Sequence, residues 1–296
     1  MLNSMTRREW MAAAATMAGA AALPRPVSAA GGKTQFREIA PWTLYSFDNG
    51  LNGPDVPEIG AKAALLKKLG YAGMTDHYGL HRLAQVLEAL DKEGLEFASL
   101  YWTPKVEDEL DPQLRDAITL LRGRRARIEI GFLSKQFKPS DPAADAKAVE
   151  TIRRVAEWCG DTGPVVSIYP HKGFWTERVE DGVRLARQVG LKTVGTNLNL
   201  VHWKWVPELK PLDALLAEAA PHLMLVTING LDTKNKNAIV SLADGDFDVA
   251  PWLAAVKKAG YNGPIGLQCY SIKGPSEDHL KRSMAKWQEI KKQLGV

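Results

Sequence analysis

The sequence has few cysteines, little net charge and no phosphate-binding glycine motif, and each absence excludes a class of protein. Its 296 residues include two cysteines, Cys159 and Cys269, too few for a disulfide framework. Neither the dinucleotide fingerprint G-x-G-x-x-G nor the P-loop motif occurs, so nucleotide binding has no support from motifs. The formal net charge is +4, a balance that does not favour nucleic acid or anionic lipid as a partner.

The N-terminus has the pattern of an export signal. Arg7 and Arg8 form a twin-arginine pair, followed by the weakly apolar run Met11–Leu23 and the small residues Val27–Ala30. This order predicts a twin-arginine signal peptide over residues 1–30 and a periplasmic location. The apolar run is shorter than the ~20 residues that a membrane span needs, so stable membrane insertion is not expected.

From residue 36 to residue 295, short apolar runs alternate with amphipathic helical stretches. The eight predicted strands are Ile39–Phe47, Tyr71–Thr75, Phe97–Trp102, Arg127–Phe132, Val165–Tyr169, Thr193–Leu200, Leu223–Ile228 and Ile265–Tyr270. Strands this apolar are buried on both faces, as in a parallel sheet covered by helices. Eight strand–helix units without a linker predict an α/β protein with a single (β/α)8 TIM barrel. A doubly wound open sheet is the alternative.

One helix-to-strand junction recurs along the chain. Lys68–Gly73 reads KLGYAG and Lys258–Gly263 reads KAGYNG, and Gly94 and Gly190 follow the same plan. A glycine at this place lets a helix end in the left-handed conformation before a strand begins. These junctions support the alternation on which the barrel prediction depends.

Barrels of this kind carry their chemistry at the carboxyl ends of the strands. The expected side chains there are rich in aromatic rings, amides and hydroxyls, a mixture that suits a neutral polyol. The alternative is that the aromatic residues only fill the mouth of the barrel. The candidate substrate-binding residues are Trp42, Tyr45, Trp102, Glu129, Tyr169, Trp175, Asn199, Trp203, Asn229 and Gln268.

Two histidines, His171 and His202, follow neighbouring predicted strands. They could be metal ligands, an acid/base pair or hydrogen-bonding posts. His77 and His81 lie four residues apart, but no glutamate completes an H-E-x-x-H site, so they are interpreted as residues at the rim.

The chain resembles the xylose isomerase-like barrels of the sugar phosphate isomerase/epimerase superfamily over about residues 36–295. The segments that carry the resemblance are Leu44–Phe47, Leu69–Gly73, Gly94–Phe97, the N-x-x-H stretch Asn199–His202, Gly260–Gly266 and Asp278–Ser283. Family members that act on free keto-sugars bind a divalent metal through Glu, Asp, His and Glu on strands five to eight. Their two glutamates also move the proton in epimerisation.

This chain departs from the family's metal ligands. The matching positions hold Tyr169, Asn199, either Thr227 or Asn229, and Gln268, and only the accessory histidine, His202, is retained. Neutral amides do not supply the negative charge that holds Mn²⁺ or Mg²⁺, and a glutamine cannot accept the proton. No metal or other cofactor is therefore predicted, unless His171, His202 and Glu129 have rebuilt a site.

The sequence thus favours an exported sugar isomerase, epimerase or lyase-like enzyme that transfers a proton next to a carbonyl. His171 or His202 would be the base, and Lys172 or Lys204 would stabilise the oxyanion. A non-catalytic carbohydrate-binding barrel is the main alternative. A hydrolase with Glu129 and Asp76 as its carboxylate pair is a further one. In each case the expected partner is a small sugar; the sequence does not indicate an oligomeric state.

Overall fold

Eight short parallel strands close into a barrel in the computed structural model, which describes residues 35–296. The barrel strands are β1 (Leu44–Ser46), β2 (Gly73–His77), β3 (Glu96–Trp102), β4 (Arg127–Ile130), β5 (Val165–Ile168), β6 (Val194–Asn199), β7 (Leu223–Ile228) and β10 (Ile265–Leu267). β1 pairs with β2 on one side and with β10 on the other, so the sheet has no edge. The predicted (β/α)8 barrel is confirmed, and the predicted signal peptide lies outside the described residues.

Helices surround the barrel. They are α1 (Ile59–Leu69), α2 (Leu80–Glu93), α3 (Gln113–Leu120), α4 (Asp145–Cys159), α5 (Val179–Val189), α6 (Leu200–Trp205), α7 (Leu212–Ala219), α8 (Val249–Lys258) and α9 (Ser276–Leu294). A small hairpin, β8 (Gly230–Asp232) with β9 (Ala238–Val240), follows β7. Within residues 35–296, no helix combines the length and the apolar composition that a membrane crossing requires.

The predicted glycine junctions end helices in the left-handed conformation. Gly70 has φ 81° and its N–H donates to the last turn of α1, so the chain can enter β2 at once. Gly260 takes φ 97° before β10. A residue with a Cβ is disfavoured at such angles.

The alternation of side chains along each strand separates the two sides of the barrel wall. On β3, the apolar Leu100 and Trp102 belong to the main hydrophobic core under the helices. Ser99 and Tyr101 face the barrel interior, where the Ser99 hydroxyl donates to Glu129. In the register of the sheet, Tyr101 stands beside Glu129. The same alternation decides which strand-end residues can reach a ligand.

The layer between strands and helices holds the fold together. Leu100 has no solvent exposure, so Leu100→Ala should lower the free energy of unfolding by about 2–5 kcal/mol through the cavity it leaves. Urea unfolding at neutral pH measures this, with Leu209→Ala as the control because Leu209 is 41% exposed. Equal losses in the two variants would show that this layer does not carry the stability.

Candidate functional site

A cavity of about 270 Å³ opens at the carboxyl ends of the barrel strands. Its titratable lining consists of Asp48, His77, Glu129, His171 and three tyrosines, Tyr101, Tyr169 and Tyr270. Phe47 and small polar side chains, among them Asn49, Thr75 and Gln268, complete the wall. Among the described residues, no lysine or arginine lines this cavity. Its polar groups therefore suit a ligand without negative charge.

Glu129 on β4 forms the floor of the cavity and is 1% exposed. Its two carboxyl oxygens accept hydrogen bonds from the Ser99 hydroxyl and, at 2.5 Å, from Asn197 Nδ2. Burial raises the pKa of Glu129 to about 7, against the opposing effect of these two hydrogen bonds. A carboxyl group with this pKa can hold or release a proton near neutral pH.

A neutral hydrogen-bond network joins three of the predicted substrate-binding residues. Asn199 Nδ2 donates to Tyr169 Oη and to Gln268 Oε1, both at 2.9 Å. The side-chain oxygen of Asn199, Oδ1, accepts hydrogen bonds from the backbone N–H groups of Val201 and His202 at the start of α6. The family resemblance implies charged metal ligands at these positions, whereas here the polar atoms are neutral and already paired with each other. This donor set does not fit a divalent cation.

His171 and His202 meet at the end of β5 and the start of α6. Their ring centroids lie 3.9 Å apart, but only His171 lines the cavity. His171 Nδ1 lies 2.8 Å from the Lys172 carbonyl oxygen, which requires a proton on Nδ1 and leaves Nε2 as an acceptor in the neutral ring. Burial lowers the pKa of His171. The hydrogen bond to Lys172 opposes this shift in part, but burial has the larger effect and favours the neutral imidazole.

His202 is buried behind His171. It is 3% exposed, and neither ring nitrogen has a hydrogen-bond partner within residues 35–296. Burial, and then the neighbouring His171, lower its pKa well below the usual value. Its edge also contacts the ring of Tyr169 at 5.8 Å between centroids. This position suits a side chain that supports His171 better than one that touches a ligand.

The structure adds a pair that the sequence interpretation missed. His77, at the end of β2, lines the cavity with Asp48, and His77 Nδ1 lies 2.6 Å from Asp48 Oδ2. The hydrogen bond to Asp48 raises the pKa of His77, and burial opposes it in part. His77 was interpreted as a rim residue because no glutamate completes an H-E-x-x-H site with His81, and Asp48 was not considered as its partner. The pairing could have been inferred from the sequence, because Asp48 and His77 follow or end the adjacent strands β1 and β2.

Asp48, Asp76 and His77 also place three ligand-type atoms within 4.8 Å of one another. Asp76, however, is fully buried and pairs through both carboxyl oxygens with Arg82 Nε, at 2.9 and 2.6 Å. Asp48 is engaged with His77. Since existing partners already satisfy these groups, we do not assign them as metal ligands.

Four predicted substrate-binding tryptophans lie outside the cavity. Trp42 precedes β1 and its N–H donates to the Gly263 carbonyl before β10, which puts it at the opposite, amino end of the barrel. Trp102 faces the helices because of the strand alternation, so Tyr101 lines the cavity in its place. Trp175 and Trp203 are buried in the same helix-side core. The prediction used sequence position, which does not give side-chain direction, and these four side chains do not line the cavity.

The remaining predicted residues do not line the cavity. Tyr45 is fully buried in the barrel interior below it, and Asn229 is buried after β7 with its Nδ2 bonded to the Gly230 carbonyl. Lys172 pairs with Glu177 at 3.3 Å, and Lys204 lies over the Trp203 and Phe247 rings. Neither lysine lines the cavity, so the expected oxyanion role has no geometric support.

Comparison with known proteins agrees with the fold. The family model described as xylose isomerase-like TIM barrel matches residues 63–290. No curated protein matches the sequence. Among solved structures, the D-allulose 3-epimerase of Methylomonas sp. superposes with a TM-score of 0.69 at 16% identity, covering 88% of this chain and 100% of the epimerase.

Two further solved structures share the architecture. An L-ribulose 3-epimerase has a TM-score of 0.68 at 14% identity, with 86% of this chain and 97% of that chain covered. A xylose isomerase-like TIM barrel protein of Mycobacterium smegmatis, solved with magnesium, has a TM-score of 0.62 at 16% identity, with 86% and 98% covered. At these identities the likeness shows the fold alone.

Proposed function

Because the chain belongs to the family of xylose isomerase-like TIM barrels, we propose that it is an enzyme that moves a proton next to the carbonyl of an unphosphorylated keto-sugar. The observation that carries the proposal is the cavity that joins a neutral histidine, His171, to the buried carboxyl of Glu129. Solved structures with this fold include sugar 3-epimerases, one of them in complex with D-allulose.

The cavity lining supports a neutral sugar as the ligand. Tyr101, Tyr270 and Phe47 offer ring faces or edges, and Gln268, Asn49 and Thr75 offer hydrogen-bonding groups. Aromatic faces pack against the C–H side of a sugar, while amides and hydroxyls pair with its hydroxyls. A phosphate group would meet Asp48 and Glu129 with no lysine or arginine in the lining to neutralise it. The volume, about 270 Å³, is near the lower limit for ligand pockets and suits one monosaccharide.

The geometry assigns the role of base to His171. Its Nδ1–H is held by the Lys172 carbonyl, so Nε2 carries the lone pair that accepts the substrate proton. The electrons of the broken C–H bond pass into the carbonyl, which becomes an enolate oxygen. Glu129, with a pKa of about 7, can donate a hydrogen bond or a proton to oxygen in its protonated form.

The proposed reaction does not use a divalent metal. Treatment of the full chain with EDTA, followed by removal of the chelator, should leave ligand binding, turnover and melting temperature unchanged. The reason is that Asn199 donates hydrogen bonds to both Tyr169 and Gln268. These neutral groups stand where the family resemblance implies metal ligands, and they are already paired. Metal analysis with melting curves measures this. Stoichiometric Mn²⁺, Mg²⁺ or Co²⁺ that is lost together with activity would contradict the prediction.

Calorimetric titration of the full chain with D-allulose, D-fructose and D-tagatose, and with the 6-phosphates of the same sugars, tests the substrate class. We expect heat from at least one free ketose and none from its phosphate. Binding of the phosphates only would overturn the assignment. A free ketose that binds but is never converted would support a non-catalytic sugar-binding barrel. The neutral residues Asn199 and Gln268, at positions where the family resemblance implies charged groups, also favour that alternative.

A further inference from the structure

The Asp48–His77 pair lies on the other side of the cavity from His171. We infer that His77, held by Asp48, is a second catalytic residue that returns a proton to the face of the sugar carbon opposite to His171, which makes the site an epimerase site. This inference rests on the proposed function and extends it from proton removal to inversion of a carbon centre.

The barrel geometry separates the two histidines. His77 ends β2 and His171 follows β5, three strands further round a closed ring of eight. Both line the same cavity, with Glu129 on β4 at the floor between them. The wall from one to the other consists of aromatic rings, because Tyr101 contacts His77 at 5.2 Å and Tyr169 at 4.9 Å between centroids. An open-chain ketose in the cavity would therefore present one face of the carbon next to its carbonyl to each histidine.

The surroundings of the two rings favour opposite protonation states. Asp48 accepts the Nδ1 proton of His77 and stabilises its charged form. Two further charges act on His77, Asp76 favouring the charged form and Arg82 opposing it. Burial lowers the pKa of His171, and the hydrogen bond from its Nδ1 to the Lys172 carbonyl opposes this in part. The ring of His202 packs against it. The pKa of His77 is thus raised and that of His171 lowered, the division expected of an acid and a base.

The proposed step balances. The C–H bond next to the carbonyl breaks, its proton goes to His171 Nε2, and the electron pair forms an enolate. The enolate carbon then takes the Nε2 proton of charged His77 on its other face, and the carbonyl re-forms. His171 returns its proton to solvent, and His77, now neutral, takes one up. No oxidant, reductant or further reactant is consumed, and substrate and product are epimers.

The test separates exchange from inversion. The full chain and its variants are incubated in D₂O with the ketose bound most tightly in calorimetry, and NMR follows deuterium in recovered substrate and in the epimer. His77→Gln should cut epimer formation by at least about 10²-fold and leave deuterium entry into the substrate within a few-fold of wild type. His81→Gln, at an exposed position on α2, is the matched control and should leave both rates unchanged.

Each result has one meaning. Unchanged epimer formation in His77→Gln overturns the inference. Equal loss of exchange and inversion would show that His77 supports binding or folding, and it overturns the inference as well. If wild type forms no epimer but exchanges deuterium, the site is one-sided and His77 has no such role. If wild type neither exchanges nor converts any ketose, the proposed function itself fails.

A measurement without substrate tests the pairing. The ring protons of His77 and His171 are assigned by comparison with His77→Gln and His171→Gln and titrated by NMR. The pKa of His77 should lie above 6.5, the usual value for histidine, and that of His171 below it. Asp48→Asn should lower the His77 pKa and move the upper pH limit of epimer formation to lower pH. An unchanged His77 pKa in Asp48→Asn would overturn the pairing.

Discussion

His171→Gln should lower the rate of deuterium entry into a bound keto-sugar by about 10²–10⁴-fold and leave its dissociation constant within a few-fold of wild type. The size is that of a lost general base. Glutamine can still donate a hydrogen bond to the Lys172 carbonyl, where His171 Nδ1 lies at 2.8 Å, but it has no lone pair of comparable basicity. The rate is measured by NMR in D₂O, and binding by calorimetry.

The matched control is His222→Gln, because His222 ends the short 3-10 turn Ala220–His222 that follows α7 and lines a separate surface cavity with Met224. It should retain the wild-type rate. A loss of binding as large as the loss of rate in His171→Gln would show that His171 serves recognition, and the assignment of the base would then be wrong. His202→Ala should lower the exchange rate less than His171→Gln does, because His202 packs against the His171 ring and does not line the cavity.

Glu129→Gln should make the protein more stable at alkaline pH than wild type. Burial raises the pKa of Glu129 from 4.5 to about 7 in the folded state, so the folded chain holds this proton more tightly than the unfolded chain. Below pH 4.5 both states are protonated. Between 4.5 and 7 the unfolded state ionises first and stability falls, reaching a loss of about 3 kcal/mol above pH 7. Glutamine has no proton to lose and avoids this fall.

Urea unfolding of both proteins at pH 4 and pH 8 measures the effect as the change in their stability difference. Glu88→Gln is the control, because Glu88 is exposed on α2. A stability difference between Glu129→Gln and wild type that is the same at both pH values would show that folding does not raise the pKa of Glu129. The assignment of Glu129 as a proton donor near neutral pH would then be wrong.

The fold could be predicted from the sequence because its signals are local. Apolar strands, amphipathic helices and glycine junctions such as Gly70 and Gly260 recur along the chain, and each is readable within about ten residues. The strand bounds differ from the predicted ones mainly at the ends, as with β1, which covers Leu44–Ser46 within the predicted Ile39–Phe47. Closure through the β1–β10 pairing followed from the count of eight strands.

The candidate site could be predicted only in part, because it depends on directions and pairings that are not local. Strand position placed His171, Tyr169 and Glu129 at the cavity, but it could not tell Tyr101 from Trp102, which differ only in the face they occupy. The Asp48–His77 pair joins residues 29 positions apart, and no local sequence pattern around either residue indicates the other as its partner. The raised pKa of Glu129 comes from its burial at the cavity floor, which no sequence pattern encodes.

We expect this barrel to remove a proton next to the carbonyl of a neutral ketose without a divalent metal. The most direct test is the deuterium content of D-allulose, D-fructose and D-tagatose recovered after incubation with EDTA-treated full-length protein in D₂O. We predict deuterium at the carbon next to the carbonyl in at least one of the three, entering at the same rate before and after metal removal. Exchange that appears only when Mn²⁺ or Mg²⁺ is added back, or none in any condition, would contradict the account.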